Sequence, residues 1–346
     1  MIEKLRQIQA QAGANLDADG IPVSFPDENP NILQNGIALC DRSHWGLLQI
    51  TGEDRLRYLH NQSTNDFEKL HSGQGCDTVF VTSTARTLDL ATAYVTEDAV
   101  LVLVSPQRRQ QLFSWLDRFI FPFDKVELKD ISSEYAVFDL IGECCDRILN
   151  QLGINQEIGQ IYAQHQLVEI AGISVRVAVG NSLDLPGYTL VVSVNDAPNL
   201  WTKLTAMDVT PTGDRLWQSW RIQQGRPFPD LELTEDYNPL EAGLWKTVSF
   251  NKGCYIGQET IARLNTYKGV KQRLWGVKLN QAIEPGTTIT LENNKVGILT
   301  SYTDTPEGGF GLAYIRTKAG GEGLQVQLGE ASGELVAVPF IKHEYC

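Results

Sequence analysis

The residues best suited to chemistry lie between Arg221 and Arg263. The run Lys252-Gly253-Cys254-Tyr255-Ile256-Gly257-Gln258-Glu259 brackets a thiol and a tyrosine between two glycines, and a helical pattern begins at Gly257. A lysine two residues away and the positive end of a helix dipole both favour thiolate, the reactive form of cysteine. Cys254 is therefore a reactive-thiol candidate; the alternative is a tight turn around a buried thiol. The Gly-x-x-x-Gly spacing lacks the Gly-Lys-Ser/Thr ending of a phosphate loop. Upstream, a proline-punctuated stretch from Arg221 to Leu244 interleaves arginines and carboxylates with Phe228 and Tyr237. Loops that face only water need few aromatics, so this one reads as the wall of a pocket.

Elsewhere the chemistry is sparse. His44, His60, His71, His165 and His343 are scattered without H-x-x-H or H-E-x-x-H spacing, so no metal site is expected. No serine sits in a nucleophile elbow. The six cysteines, Cys40, Cys76, Cys144, Cys145, Cys254 and Cys346, form no C-x-x-C pair. With no secretion signal they are expected as reduced thiols, all but Cys254 as small buried or terminal residues. Trp115, Trp201, Trp217 and Trp220 read as core packing.

These residues must be held by a chain of 346 residues, long enough for two or three domains. With 42% hydrophobic and 21% charged residues, the composition is that of a folded globular protein. A net charge of −13 disfavours a broad nucleic-acid or anionic-membrane surface and points to a small ligand. No apolar run approaches the roughly 18 residues of a membrane span. The polar helix at the N-terminus resembles neither a signal nor a transit peptide, so a cytoplasmic location is expected.

Residues 13–36 read as an irregular connector. A strand at 46–50 then leads through Gly52 into a helix at 53–61, and strands follow at 77–83, 88–95 and 99–104, with a helix at 106–119. The strand–glycine–helix pattern recurs about 90 residues on, as Phe138-Asp139-Leu140-Ile141-Gly142 and a helix bearing Ile148 and Leu149. Strands at 174–179 and 188–194 and helices at 197–206 and 213–224 complete two related α+β units. From residue 271 the texture becomes six short alternating runs, 274–279, 287–291, 296–302, 309–315, 324–328 and 335–339, which predicts a small β-barrel or sandwich. The boundary near residue 270 is the sharpest in the chain.

The segment Lys252–Glu259 resembles the hallmark of the YgfZ-type folate-binding proteins, relatives of the aminomethyltransferase (T-protein) of the glycine cleavage system that support iron–sulfur enzyme maturation. Leu48-x-Ile50-x-Gly52-Glu53-Asp54 with Leu59, Thr64-Asn65-Asp66, and Val296-Gly297-x-x-Thr300-Ser301 extend the similarity over nearly the whole chain. The resemblance implies an α+β, three-domain ring with a C-terminal β-barrel and tetrahydrofolate in its central opening. It places a discontinuous first domain at 1–47 and 132–265, a second α+β domain at 48–131, and the barrel at 266–346.

Carried over residue by residue, the resemblance makes Glu232 the carboxylate that accepts the two parallel donors of a pterin. It places Tyr188 near the ligand ring, with a core tyrosine as the alternative, and offers Arg221 and Arg226 to the glutamyl carboxylates. Lys252, Gly253, Tyr255, Gly257, Gln258 and Glu259 would support Cys254. One departure bears on mechanism. T-proteins carry two adjacent aspartates where this chain has Asp89-Leu90, and the Gly-Arg usual in YgfZ-type proteins is Ala85-Arg86. Leucine cannot serve a reacting amine, which argues against aminomethyl transfer.

The expectation is a protein of one-carbon metabolism that binds tetrahydrofolate or a one-carbon derivative and assists iron–sulfur assembly factors or client enzymes. Its rivals are a folate-dependent aminomethyltransferase and a scaffold with a vestigial pocket.

Overall fold

The computed structural model describes residues 2–155 and 158–345. The chain forms two compact units, one of Met1–Leu56, Lys69–Asp77 and Thr92–Gln218, the other of Arg57–Glu68, Thr78–Ala91 and Ser219–Cys346.

The first unit is built on a six-stranded sheet in the order His165–Ile170, Ile173–Val179, Gly187–Ser193, Tyr135–Ile141, Ala38–Asp41, Thr210–Thr212. All pairs are antiparallel except the last. Alternation sends Leu39, Phe138, Leu140, Val175, Val177, Tyr188 and Leu190 to one face. There they pack with Leu5 of the helix Ile2–Gln11 and with Leu200, Trp201 and Leu204 of the helix Ala197–Thr205. A five-stranded sheet runs Gly75–Val81, Thr87–Val95, Ala99–Val104, Gly46–Thr51, Glu127–Asp130.

The internal repeat is present. The strands Gly46–Thr51 and Tyr135–Ile141 lead through Gly52 and Gly142 into the helices Arg55–Gln62 and Cys145–Gln151. Both glycines have positive φ, 99° and 144°. A Cβ would lie 2.0 Å from the Lys125 carbonyl oxygen at Gly52 and 2.3 Å from that of Gly36 at Gly142, so neither turn admits a side chain.

In the second unit the barrel closes in the order Gln272–Leu279, Gly308–Arg316, Asn294–Thr305, Thr288–Leu291, Gln325–Leu328, Ala331–Val336. Val277, Ile289, Leu299, Ile315, Val326 and Leu335 help fill it, so it is a packed core rather than a channel.

Two expectations need correction. Residues 13–36 carry a short hairpin, Asn15–Leu16 with Pro22–Ser24, and one helical turn, Ile32–Asn35. The last barrel strand is Ala331–Val336 rather than 335–339. Its alternation is diluted by Gly333, and its register is set by pairing with Gln325–Leu328 across Gly329, which has φ 66°. Trp201, Trp217 and Trp220 are buried, whereas Trp115 is only half-buried. Among the described residues, no helix is long and apolar enough to cross a membrane.

Candidate functional site

In the second unit, Lys252–Glu259 is stitched to the end of the helix Arg55–Gln62. The Lys252 ammonium is buried and donates to the carbonyls of His60, of Ser63 at 2.8 Å and of Asn65 at 2.6 Å. A cation at a helix C-terminus satisfies carbonyls that the helix leaves open. Lys252 is thus first a cap, and its charge is directed to that task rather than to Cys254 alone. The Ile256 amide donates to Asn61 O at 3.0 Å, and Gln258 Nε2 to Gly253 O at 3.3 Å. Gly257 takes φ 83° and caps the helix Gln258–Thr266, with Glu259 in its favourable first turn. Tyr255 is buried, and burial pushes its phenol upward. Cys254 is exposed, which excludes the buried-thiol alternative.

Glu232 is fully buried. Its Oε2 accepts from Arg221 Nη1 and the Phe228 amide, both at 3.0 Å, and its Oε1 from Thr300 Oγ1 at 2.7 Å and from Ser301 Oγ. Arg221 Nη2 also donates to Ser301 Oγ at 3.0 Å, and its guanidinium lies 5.5 Å from the Phe228 ring centre. Both carboxylate oxygens are therefore engaged within the protein. With Arg221 it ties the proline-rich loop to the barrel. Arg226 is likewise buried and donates to the carbonyls of Pro227 and Leu90, each at 3.3 Å.

Tyr188 belongs to the apolar core of the first unit, and its hydroxyl donates to Asp146 Oδ1 at 2.6 Å. Among the other cysteines, Cys40 and Cys145 are buried, Cys76 is half-exposed, and Cys144 is exposed, against expectation, just ahead of the helix Cys145–Gln151. Cys346 lies outside the described residues. No group of three or more His, Cys, Asp or Glu side chains able to hold a metal ion occurs among the described residues.

Sequence reasoning missed a polar row in the first unit. His165, Ala178, Thr189, Asp139, Cys40 and Thr212 are successive register partners across all six strands. Their chain neighbours Val177, Tyr188, Leu140 and Leu39 belong to the apolar core, so the row lies on the opposite face. Thr189 Oγ1 donates to Asp139 Oδ1 at 2.8 Å. From the other sheet, Thr92 Oγ1 donates to Asp77 Oδ1 at 2.7 Å, joined there by the Tyr162 hydroxyl at 2.8 Å. The Tyr94 ring meets His165 edge-on, centroids 5.4 Å apart. Burial, then the charge of Asp139, pushes the Tyr94 phenol upward, so it stays a neutral donor. Burial, and then Asp139, likewise pushes the Cys40 thiol well up. The one sequence signal was an aspartate inside the apolar strand Tyr135–Ile141. Asp139, Thr189, Thr92, Tyr94 and His165 are all buried, so these contacts lie inside the unit.

The fold and these sites define a mixed α/β protein with a closed barrel. The model of the GCVT N-terminal domain matches residues 20–252. The chain belongs to the GCVT family. It is 44% identical over 339 residues to a chloroplastic protein of Arabidopsis thaliana provisionally named a transferase, covering 96% of this chain and 78% of that one. It is 27% identical over 354 residues to the aminomethyltransferase of Anoxybacillus flavithermus, covering 97% of each. Its fold matches the crystal structure of the glycine cleavage system aminomethyltransferase T from Bartonella henselae with a TM-score of 0.86, at 20% identity, covering 99% and 98% of the two chains.

Proposed function

We propose that the chain is a reduced-folate-binding protein of the YgfZ type that supports maturation or repair of iron–sulfur enzymes. Membership of the GCVT family carries the folate half of this reading. A pterin offers a ring N–H beside an exocyclic amino group, a pair that the Glu232 carboxylate suits as acceptor once the ligand displaces the hydroxyl donors it holds here. Relatives named as aminomethyltransferases support a folate ligand.

Leu90 speaks against transfer. It is buried in the apolar core of the second unit, so no carboxylate stands at that position to serve a reacting amine. Cys254 supports the sulfur half, as an exposed thiol on a loop fixed by the Lys252 cap. The partners under this reading are iron–sulfur assembly factors or client enzymes.

Complementation of a strain lacking the gene tests it. Cys254→Ser should fold and bind folate yet fail to restore iron–sulfur enzyme activity, and the wild type should show no turnover with an aminomethyl-lipoyl carrier. Full complementation by the serine variant, or turnover by the wild type, contradicts the proposal.

A further inference from the structure

A cavity of about 400 Å3 opens beside His165 in the first unit, lined by Ser72, Gly73, Thr96, Glu97, Asp98, Arg176 and neighbouring residues. Its cation is fixed. Arg176 Nη1 donates to His165 Nδ1 at 2.9 Å, which makes His165 the acceptor and places its ring proton on Nε2. Burial, and then Arg176, pushes His165 down to about 4, so the imidazole is neutral and orients the guanidinium without neutralising it. Among the described residues, Arg176 forms no ion pair within 4.0 Å.

The opposite charges come from the turn between the strands Thr87–Val95 and Ala99–Val104. Glu97 and Asp98 are exposed there, and neither forms an ion pair among the described residues. Among the described residues Asp98 accepts from Thr96 Oγ1, at 3.0 Å, and its charge is near enough to act on Arg176. One cavity thus holds an oriented cation and two carboxylates that do not pair with one another.

That charge pattern discriminates. A phosphate would meet Arg176 but be repelled by two carboxylates, and a simple amine would meet the carboxylates but be repelled by Arg176. A molecule carrying both charges meets both, and a guanidinium fork matches a carboxylate. We propose that this cavity binds a small zwitterion of the α-amino-acid class, its carboxylate on Arg176 and its ammonium beside Glu97 and Asp98. The site is separate from the folate reading and does not depend on it.

Calorimetric titration of the whole protein with L-alanine tests the proposal, with acetate and methylamine as the two halves of the ligand. Saturable binding of alanine is expected, with each half weaker by roughly tenfold or more. Arg176→Gln and the double variant Glu97→Gln/Asp98→Asn should each weaken alanine by roughly tenfold or more. The double variant alters only exposed side chains, so it decides the question even where Arg176→Gln fails to fold. No saturable alanine binding up to about 10 mM overturns the proposal. So does acetate binding as tightly as alanine, or alanine affinity unchanged in the double variant.

Discussion

Glu232 and Lys252 both carry internal hydrogen bonds that their sequence settings do not announce. A carboxylate in a proline-rich loop reads as a ligand because its partners, Thr300 and Ser301, lie some seventy residues on in the barrel. No local spacing announces them. Removing one member of a buried ion pair strands the other charge, at a cost of about 3–5 kcal/mol. Glu232→Gln should therefore lower stability by that order, measured by denaturant unfolding, because Arg221 is left buried without its carboxylate. Unchanged stability would mean that the Arg221–Glu232 pair does not hold the loop. Lys252→Met should lose about 1.5–3 kcal/mol, since a charged donor to three carbonyls disappears. Cys254→Ser, at an exposed position, should stay within about 0.5 kcal/mol of the parent.

Long periodic elements were legible. The helix 213–224 was predicted within one residue of Asp214–Gln224, and the strand–glycine–helix repeat is real because Gly52 and Gly142 both adopt positive φ. The polar row across the six-stranded sheet was not legible. Its members come from six strands spread from Cys40 to Thr212, and only register brings them side by side. The start of the helix at Gly257 was legible, and its physical reason is the glycine's backbone. At φ 83°, a Cβ there would lie 2.8 Å from Thr82 O and 2.9 Å from a Val81 methyl. Gly257→Ala should cost about 1–2 kcal/mol from the left-handed conformation alone, with the contact adding to it. A smaller change in the denaturation midpoint would mean that the turn can relax.

For the molecule as a whole, acid should destabilise the fold through buried histidine. His165 sits near pKa 4 when folded, because burial and then Arg176 oppose its protonation. Its unfolded value is about 6.5. The unfolded chain therefore takes up the proton first as pH falls. The contribution is complete above about 6.5 and is lost between 6.5 and 4, by about 2 kcal/mol at pH 5. His165→Gln should flatten the fall in stability between pH 7 and 5; an unchanged slope would assign that fall to other groups. The central claim is that the chain binds reduced folate, with Glu232 as the acceptor of the pterin donors. Calorimetric titration of tetrahydrofolate into the wild type, Asp139→Asn and Glu232→Gln decides it most directly. Binding by the wild type, weakened roughly tenfold or more in folded Glu232→Gln and kept within about threefold in folded Asp139→Asn, is the predicted result. Absence of binding, or unchanged affinity in folded Glu232→Gln, would contradict it.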